Sequence, residues 1–255
     1  MTRTASGQKA AKMKPVLDAG RHPRARYGFI VLDVEETVES DVYRMAPEDV
    51  GVHFTRVPTS TAIDQTAIAN MVASAADGAR LLLPGQNIDN ICFTCSAGTI
   101  ATGEQVILEE LATARPDIRV STVVGCAVPA LRAVGARRLA VLTPYPDFLE
   151  APTRRYIDAG EFGVVKYRSM LIDDPSDLVR VSPQYIFEAS VDTDQPDADA
   201  LYICCGALRS LDIVSALEER LGKPVIVSNQ AMMWHLLRQS GIDDQLAGYG
   251  QLFQR

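Results

Sequence analysis

Among the 255 residues there is no apolar run long enough to span a membrane, and none of the kind that forms the core of a secretory signal. Histidine is scarce. His22, His53 and His235 are scattered, which leaves no Cys–His nucleophile pair and no histidine-based metal cluster. There is no GxGxxG fingerprint, and Gly98-x4-Gly103 lacks the Lys-Ser/Thr that a phosphate loop requires. Ser40-Asp41 and Ser228-Asn229 do not form a hydrolase elbow. Excess positive charge is also missing: a net charge of −7, with no basic stripe carrying aromatics, argues against nucleic acid as a partner. Five cysteines, an odd number at irregular spacing, give no disulfide framework and predict a reduced, cytoplasmic setting. Cys92-x-x-Cys95 has no second CxxC or His pair to complete a zinc site, so no metal is expected.

What is present is a repeat. Ile91-Cys92-Phe93-Thr94-Cys95-Ser96-Ala97-Gly98 is echoed by Leu201-Tyr202-Ile203-Cys204-Cys205-Gly206-Ala207-Leu208. Asp89 and Asp199 each stand six residues before the aligned cysteine, Cys95 or Cys205. Each half reads as a buried strand feeding a tight turn and then a helix, which places each thiol at a helix N-terminus. With 47% apolar and 22% charged residues, the chain has enough hydrophobic material for a substantial core.

In chain order, residues 1–25 form a basic flexible tail containing Arg3, Lys9, Lys12, Lys14, Arg21 and Arg24. Strands are predicted at Tyr27–Leu32, Val50–Val57, the run ending at Cys95, and Ile118–Val124. An acidic loop, Asp33–Asp41, follows the first strand, where open α/β sheets bind ligands. Helices are predicted from about Ile63 to Leu83, with Ile68, Met71, Val72 and Ala75 on one face, and from Gly103 to Ala114. Another runs from Ala127 to Val134 and stops at Gly135. The order then repeats. Strands fall at Arg138–Leu142, Val164–Tyr167, Leu201–Cys204 and Pro224–Val227, and helices at Leu149–Ala159, the second part of Ser176–Ala189, Leu208–Leu221 and Ala231–Gln239.

The alternation predicts an α/β fold of two Rossmann-like lobes, with parallel sheets related by pseudo-two-fold symmetry and a site in the cleft between them. The lobes are assigned as 26–128 and 129–228, with 229–255 packing back on the first. No Ser/Gly/Pro linker separates them, so they are expected to pack against each other.

Paired thiols at equivalent strand ends suit two chemistries. One thiolate removes a proton from a planar-going carbon while the other thiol returns one from the opposite face, or a thiolate adds to a conjugated double bond and is later expelled. A helix N-terminus is expected to lower the thiol pKa. Backbone N–H groups at Ser96, Ala97, Gly206 and Ala207 are candidates to bind a carboxylate. Cys92 and Cys204 lie inside the apolar runs and read as packing, as does Cys126. Tyr145 and Asn229, in loops at strand ends, are candidate substrate contacts; Asn229 is equally a helix cap.

These residues resemble the aspartate/glutamate racemase superfamily, in the branch of maleate cis-trans isomerases, arylmalonate decarboxylases and ectoine-utilisation protein A. The resemblance covers residues 27–242 and rests on Cys95-Ser96-Ala97-Gly98-Thr99, Leu142-Thr143-Pro144-Tyr145, Cys205 to Asp212, and Leu217 to Trp234. It implies a cofactor-independent enzyme with Cys95 and Cys205 as the catalytic pair, Tyr145 as a carboxylate contact, a small carboxylate substrate and a homo-oligomeric state. Two positions depart from it. The decarboxylases carry glycine where this chain has Cys95, which favours a two-thiol isomerase or racemase over a decarboxylase using Cys205 alone. The isomerases carry asparagine where this chain has Glu35, a residue that would repel a second substrate carboxylate. A non-catalytic carboxylate-binding protein is the alternative outside enzymology.

Overall fold

The computed structural model describes residues 12–59 and 65–255. The apolar runs pair as two four-stranded parallel sheets. In the first, β1 (Ala25–Leu32), β2 (Val50–Val57), β3 (Asn90–Phe93) and β4 (Arg119–Thr122) lie in the order β2-β1-β3-β4. In the second, β5 (Arg138–Thr143), β6 (Gly163–Ser169), β7 (Ala200–Ile203) and β8 (Val225–Val227) repeat it as β6-β5-β7-β8. The expected α/β fold of two similar lobes is therefore present.

The repeated aspartates explain part of the likeness. Asp89 accepts from the Arg26 backbone N–H at 2.8 Å, and Asp199 accepts from that of Arg138 at the same distance. Each carboxylate ties the loop before a thiol strand to the start of the lobe's first strand. At the other end, Thr94 N–H donates to Ile30 C=O and Cys204 N–H to Leu142 C=O, so Thr94 and Cys204 are counterparts.

Both faces of the first sheet are covered, as near-continuous apolar strands require. Ile30, Ile91 and Phe93 pack outward with Ile107 and Leu111 of α4 (Glu104–Ala114) and with Ala75 and Ala79 of α2 (Gln65–Leu81). Tyr27, Phe29 and Val31 point the other way, into a core shared with Leu139, Val141, Leu201, Ile203 and Val227 of the second sheet. Each large side chain fully buried here contributes about 1.5–3 kcal/mol. One core serving both lobes explains why no linker is needed. Helices α5 (Val123–Ala133) and α9 (Ser228–Gln239) pack on each other inside it, and the boundary expected at 128 falls within α5.

Several elements begin earlier than predicted. Residues 123–126, read as strand and turn, are the first turn of α5, which Thr122 caps by accepting from Gly125 N–H at 3.0 Å. Ser228-Asn229-Gln230 is the first turn of α9 and not a loop. The second half of the acidic 33–41 stretch is helix α1 (Val38–Met45). A short helix, α3 (Ser96–Thr102), separates Cys95 from α4 and stops at Gly103, whose φ of 95° suits glycine.

Of the tail, residues 1–11 lie outside the described residues, as do Ile63 and the side chain of Ile68. The end of the tail is anchored: Arg24 forms a bidentate pair with Asp244 at 2.8 and 2.6 Å, and His22 meets His53 edge to face. Among the described residues no helix is long and apolar enough to cross a membrane.

Candidate active site

Cys95 and Cys205, 110 positions apart in the chain, line one cavity of about 370 Å³ between the lobes. They reach it differently. Cys95 is the N-cap of α3, and its sulfur accepts from Gly98 N–H at 3.3 Å. Cys205 is not at a helix N-terminus, contrary to expectation. It is followed by an irregular turn and a 3-10 turn at Leu211–Ile213 before α8 (Val214–Leu221) begins. Its thiolate is supported instead by the Ala207 backbone N–H.

The turn after Cys205 is held from behind by three hydrogen bonds. Cys205 N–H donates to Ser228 Oγ at 3.0 Å, Asn229 Nδ2 donates to Gly206 C=O at 2.8 Å, and Thr37 Oγ1 donates to Ala207 C=O at 2.9 Å. Carbonyl and N–H point opposite ways across a planar trans peptide. Fixing the Gly206 carbonyl on Asn229 therefore also fixes the direction of Ala207 N–H, the group that favours the ionised form of Cys205. Gly206 is required by this packing, since a Cβ there would stand 2.7 Å from Asn229 Oδ1 and 3.1 Å from Val38.

Asn229 is thus misplaced by the sequence reading. It is buried behind the cavity wall, and its amide also donates to Asp41 Oδ2 at 2.8 Å. Glu35, Ser96, Ala97, Tyr145, Gly206 and Ala207 do line the cavity. Ser96 and Thr102 line it too, and their hydroxyls are buried without a hydrogen-bond partner among the described residues. Tyr145 presents its ring, and its hydroxyl lies 3.4 Å from Cys204 Sγ. Cys204, read as packing alone, is therefore also the seat of Tyr145. The rest of the lining is largely apolar and went unread in the sequence: Leu32, Met71, Phe148, Leu149, Ile172 and Leu178.

Cys92 and Cys95 belong to opposite faces of the first sheet. Cys92 is in the core shared by the lobes, whereas Cys95 packs against the outer cluster, so the two cannot act as a dithiol. Cys126 lies in the first turn of α5, buried beside Cys92. All five cysteines are free, and among the described residues no group of three or more His, Cys, Asp or Glu side chains is placed to hold a metal.

The electrostatics correct a second expectation. Burial pushes the Cys95 thiol up to about 11, against the weaker pull of Gly98 N–H and with help from the Glu35 charge. Burial raises Cys205 further, opposed by Ala207 N–H and reinforced by Glu35 and the other thiols. Desolvation outweighs these backbone N–H groups, so burial holds both thiols in the protonated form at neutral pH. Burial raises Glu35 as well, although Thr37 and Val38 N–H groups stabilise its anion.

Residues 101–253 match the family model described as arylmalonate decarboxylase. The maleate isomerase of Nocardia farcinica (strain IFM 10152) is 25% identical over 240 residues, covering 90% of this chain and 96% of that protein. The arylmalonate decarboxylase of Bordetella bronchiseptica is 32% identical over 145 residues, 56% of this chain and 59% of that protein. Among solved structures, a cysteine-to-serine mutant of the N. farcinica maleate cis-trans isomerase, bearing a covalently bound succinylcysteine intermediate, superposes with a TM-score of 0.80. That match is 24% identical and covers 90% of this chain and 98% of the other.

Proposed function

The chain belongs to the arylmalonate decarboxylase family, and from that membership we propose that it is a cofactor-independent isomerase using Cys95 and Cys205 on a small carboxylic acid. The observation that carries this reading is the pair of thiols, delivered from equivalent strand ends of two lobes into one cavity. A single acid would suffice for decarboxylation. A second thiol in the same cavity adds what isomerisation needs, a partner on another side of the substrate.

Two steps use such a pair. In the first, a thiolate takes the proton from the carbon next to the carboxylate, and the electron pair passes onto the carboxylate as an enediolate. The other thiol then protonates that carbon from the opposite face, leaving the roles exchanged. In the second, one thiolate adds to a carbon–carbon double bond conjugated to the carboxylate, the electron pair passes onto that carboxylate as an enediolate, and the other thiol protonates the carbon. After the single bond rotates, the second sulfur takes the proton back and the first thiolate is expelled, restoring the double bond in the other geometry. The succinylcysteine held by the N. farcinica mutant supports thiol addition as chemistry within this fold.

Ser96, Ala97, Gly206 and Ala207 act as the carboxylate cradle in this reading. Ala207 N–H also stabilises the Cys205 thiolate. Charge that builds on the carboxylate as the carbon becomes planar is held best by donors already fixed in place.

The test is turnover of small carboxylates in deuterated water, followed by proton NMR. Proton transfer washes deuterium into the reacting carbon, and addition–elimination interconverts cis and trans alkenes. Release of carbon dioxide with full activity in Cys95→Gly would overturn the isomerase in favour of a decarboxylase relying on Cys205.

A further inference from the structure

The charged side chains on the cavity wall have one sign. Glu35 and Asp173 line it, and no Lys, Arg or His does so among the described residues. Asp173 is exposed, but Glu35 is half-buried and shares the wall with both thiols. Its carboxylate is rigidly placed: Oε1 accepts from Thr37 N–H at 2.5 Å and Val38 N–H at 3.0 Å, closing the N-terminus of α1. No side chain among the described residues forms an ion pair with it, and the Arg56 charge stabilises its anion only as the weakest of several influences. Arg56, the nearest candidate, directs its guanidinium to the backbone carbonyls of Leu32, Asp33 and Glu35 and to the carboxylate of Glu39.

A buried anion without a counter-charge is costly, and proteins ordinarily pair it. Here the missing partner is on the open side, where a ligand sits. Resting on the reading of this cavity as a carboxylate site, we propose that Glu35 receives a cationic nitrogen of the substrate. The substrate class is then a zwitterionic monocarboxylate, with the carboxylate on the Ser96–Ala97 and Gly206–Ala207 backbone and the cation against Glu35. A dicarboxylate fits poorly, because its second charge would meet Glu35 with no Lys, Arg or His on the cavity wall among the described residues.

The same pairing eases thiolate formation, although burial is the larger obstacle. Glu35 is among the charges that raise both Cys95 and Cys205. A bound cation offsets that charge at the moment a thiolate is needed, so ionisation follows binding of the right ligand. Thiols that stay protonated until then are also shielded from adventitious alkylation and oxidation.

Isothermal titration of wild-type and Glu35→Gln proteins tests this with proline, pyrrolidine-3-carboxylate, cyclopentanecarboxylate and maleate. The first two are zwitterions, and cyclopentanecarboxylate replaces their nitrogen with carbon at nearly constant size. The amide introduced by Glu35→Gln keeps an oxygen to close α1 and removes only the charge, and an unchanged melting temperature verifies that. In the wild type at least one zwitterion is expected to bind tenfold or more tightly than cyclopentanecarboxylate, with maleate weaker still. Glu35→Gln is expected to erase the zwitterion preference and to strengthen maleate binding. Equal binding of zwitterion and carbon analogue, no measurable binding of either zwitterion, or a preference that survives Glu35→Gln would each overturn the assignment. Because equilibrium binding does not require the thiols to react, this outcome is independent of whether the two-thiol mechanism holds.

Discussion

The side-chain amide of Asn229 donates to the carbonyl of Gly206 at 2.8 Å, and through that peptide plane it sets the direction of the N–H that supports the Cys205 thiolate. Asn229 never reaches the cavity, yet a reacting group depends on it. Asn229→Ala is expected to lower kcat roughly ten- to a hundredfold, less than the loss of a direct oxyanion donor, with little change in KM. Asn229→Asp keeps the size and loses the donor, so it should resemble the alanine variant. Both should move the pH dependence of Cys205 alkylation upward; a merely structural role would leave that profile in place.

Asp41, on the other side of the Asn229 amide, has its own signature. Burial raises its carboxyl to about 7, against the stabilising Asn229 hydrogen bond and the Arg44 charge, with Asp212 and Glu35 adding repulsion. The native state therefore holds a proton that the unfolded chain has released between about pH 4 and 7. Stability contributed by this group is complete below its unfolded value and lost as pH rises through the native one. Urea unfolding across that window should show stability falling with pH, and Asp41→Asn should flatten the slope.

Thiol reactivity follows the same logic. With Cys95 raised to about 11, its alkylation by iodoacetamide in the free protein should climb about tenfold per pH unit without a plateau below pH 10. Cys205 should behave alike. Glu35→Gln removes a charge that opposes both thiolates and should raise both rates at a fixed pH. A plateau near pH 7 would show that burial does not dominate these thiols.

The lobes are also bridged by a polar contact away from the cavity. Glu104 of α4 accepts from Thr122 Oγ1 at 2.5 Å and from Tyr156 of α6 (Glu150–Ala159) at 2.8 Å. Tyr156→Phe leaves that carboxylate oxygen without its donor and is expected to cost about 1–3 kcal/mol in urea unfolding.

Much of this was legible in the residues. Asp89 and Asp199 at equal distance before Cys95 and Cys205 announced a duplicated strand and turn, and the duplicated sheet order follows. Glu35 stood out because its type was unexpected for its place. The relations that escaped are those between distant segments: 188 positions separate Asn229 from Asp41, and no local pattern records such a contact. The start of α5 was misread because β-branched Val123 and Val124 favour a strand, whereas the Thr122 cap and packing against α9 make them helical. The second thiol was placed at a helix by analogy with the first. The turn after Cys205 is instead tied down by Ser228, Asn229 and Thr37, which lie elsewhere in the chain. The raised thiols escaped for a related reason: desolvation depends on everything folded around a group, while a helix terminus can be guessed locally.

Cys95 and Cys205 are both expected to take part in each turnover. The most direct measurement is the turnover of the first small carboxylate that the wild type converts, compared in Cys95→Ala and Cys205→Ala proteins whose melting temperatures are unchanged. The account predicts that each variant loses at least roughly a thousandfold in kcat, as expected for removal of an essential acid–base or nucleophilic group. Near-wild-type activity in either variant would contradict it.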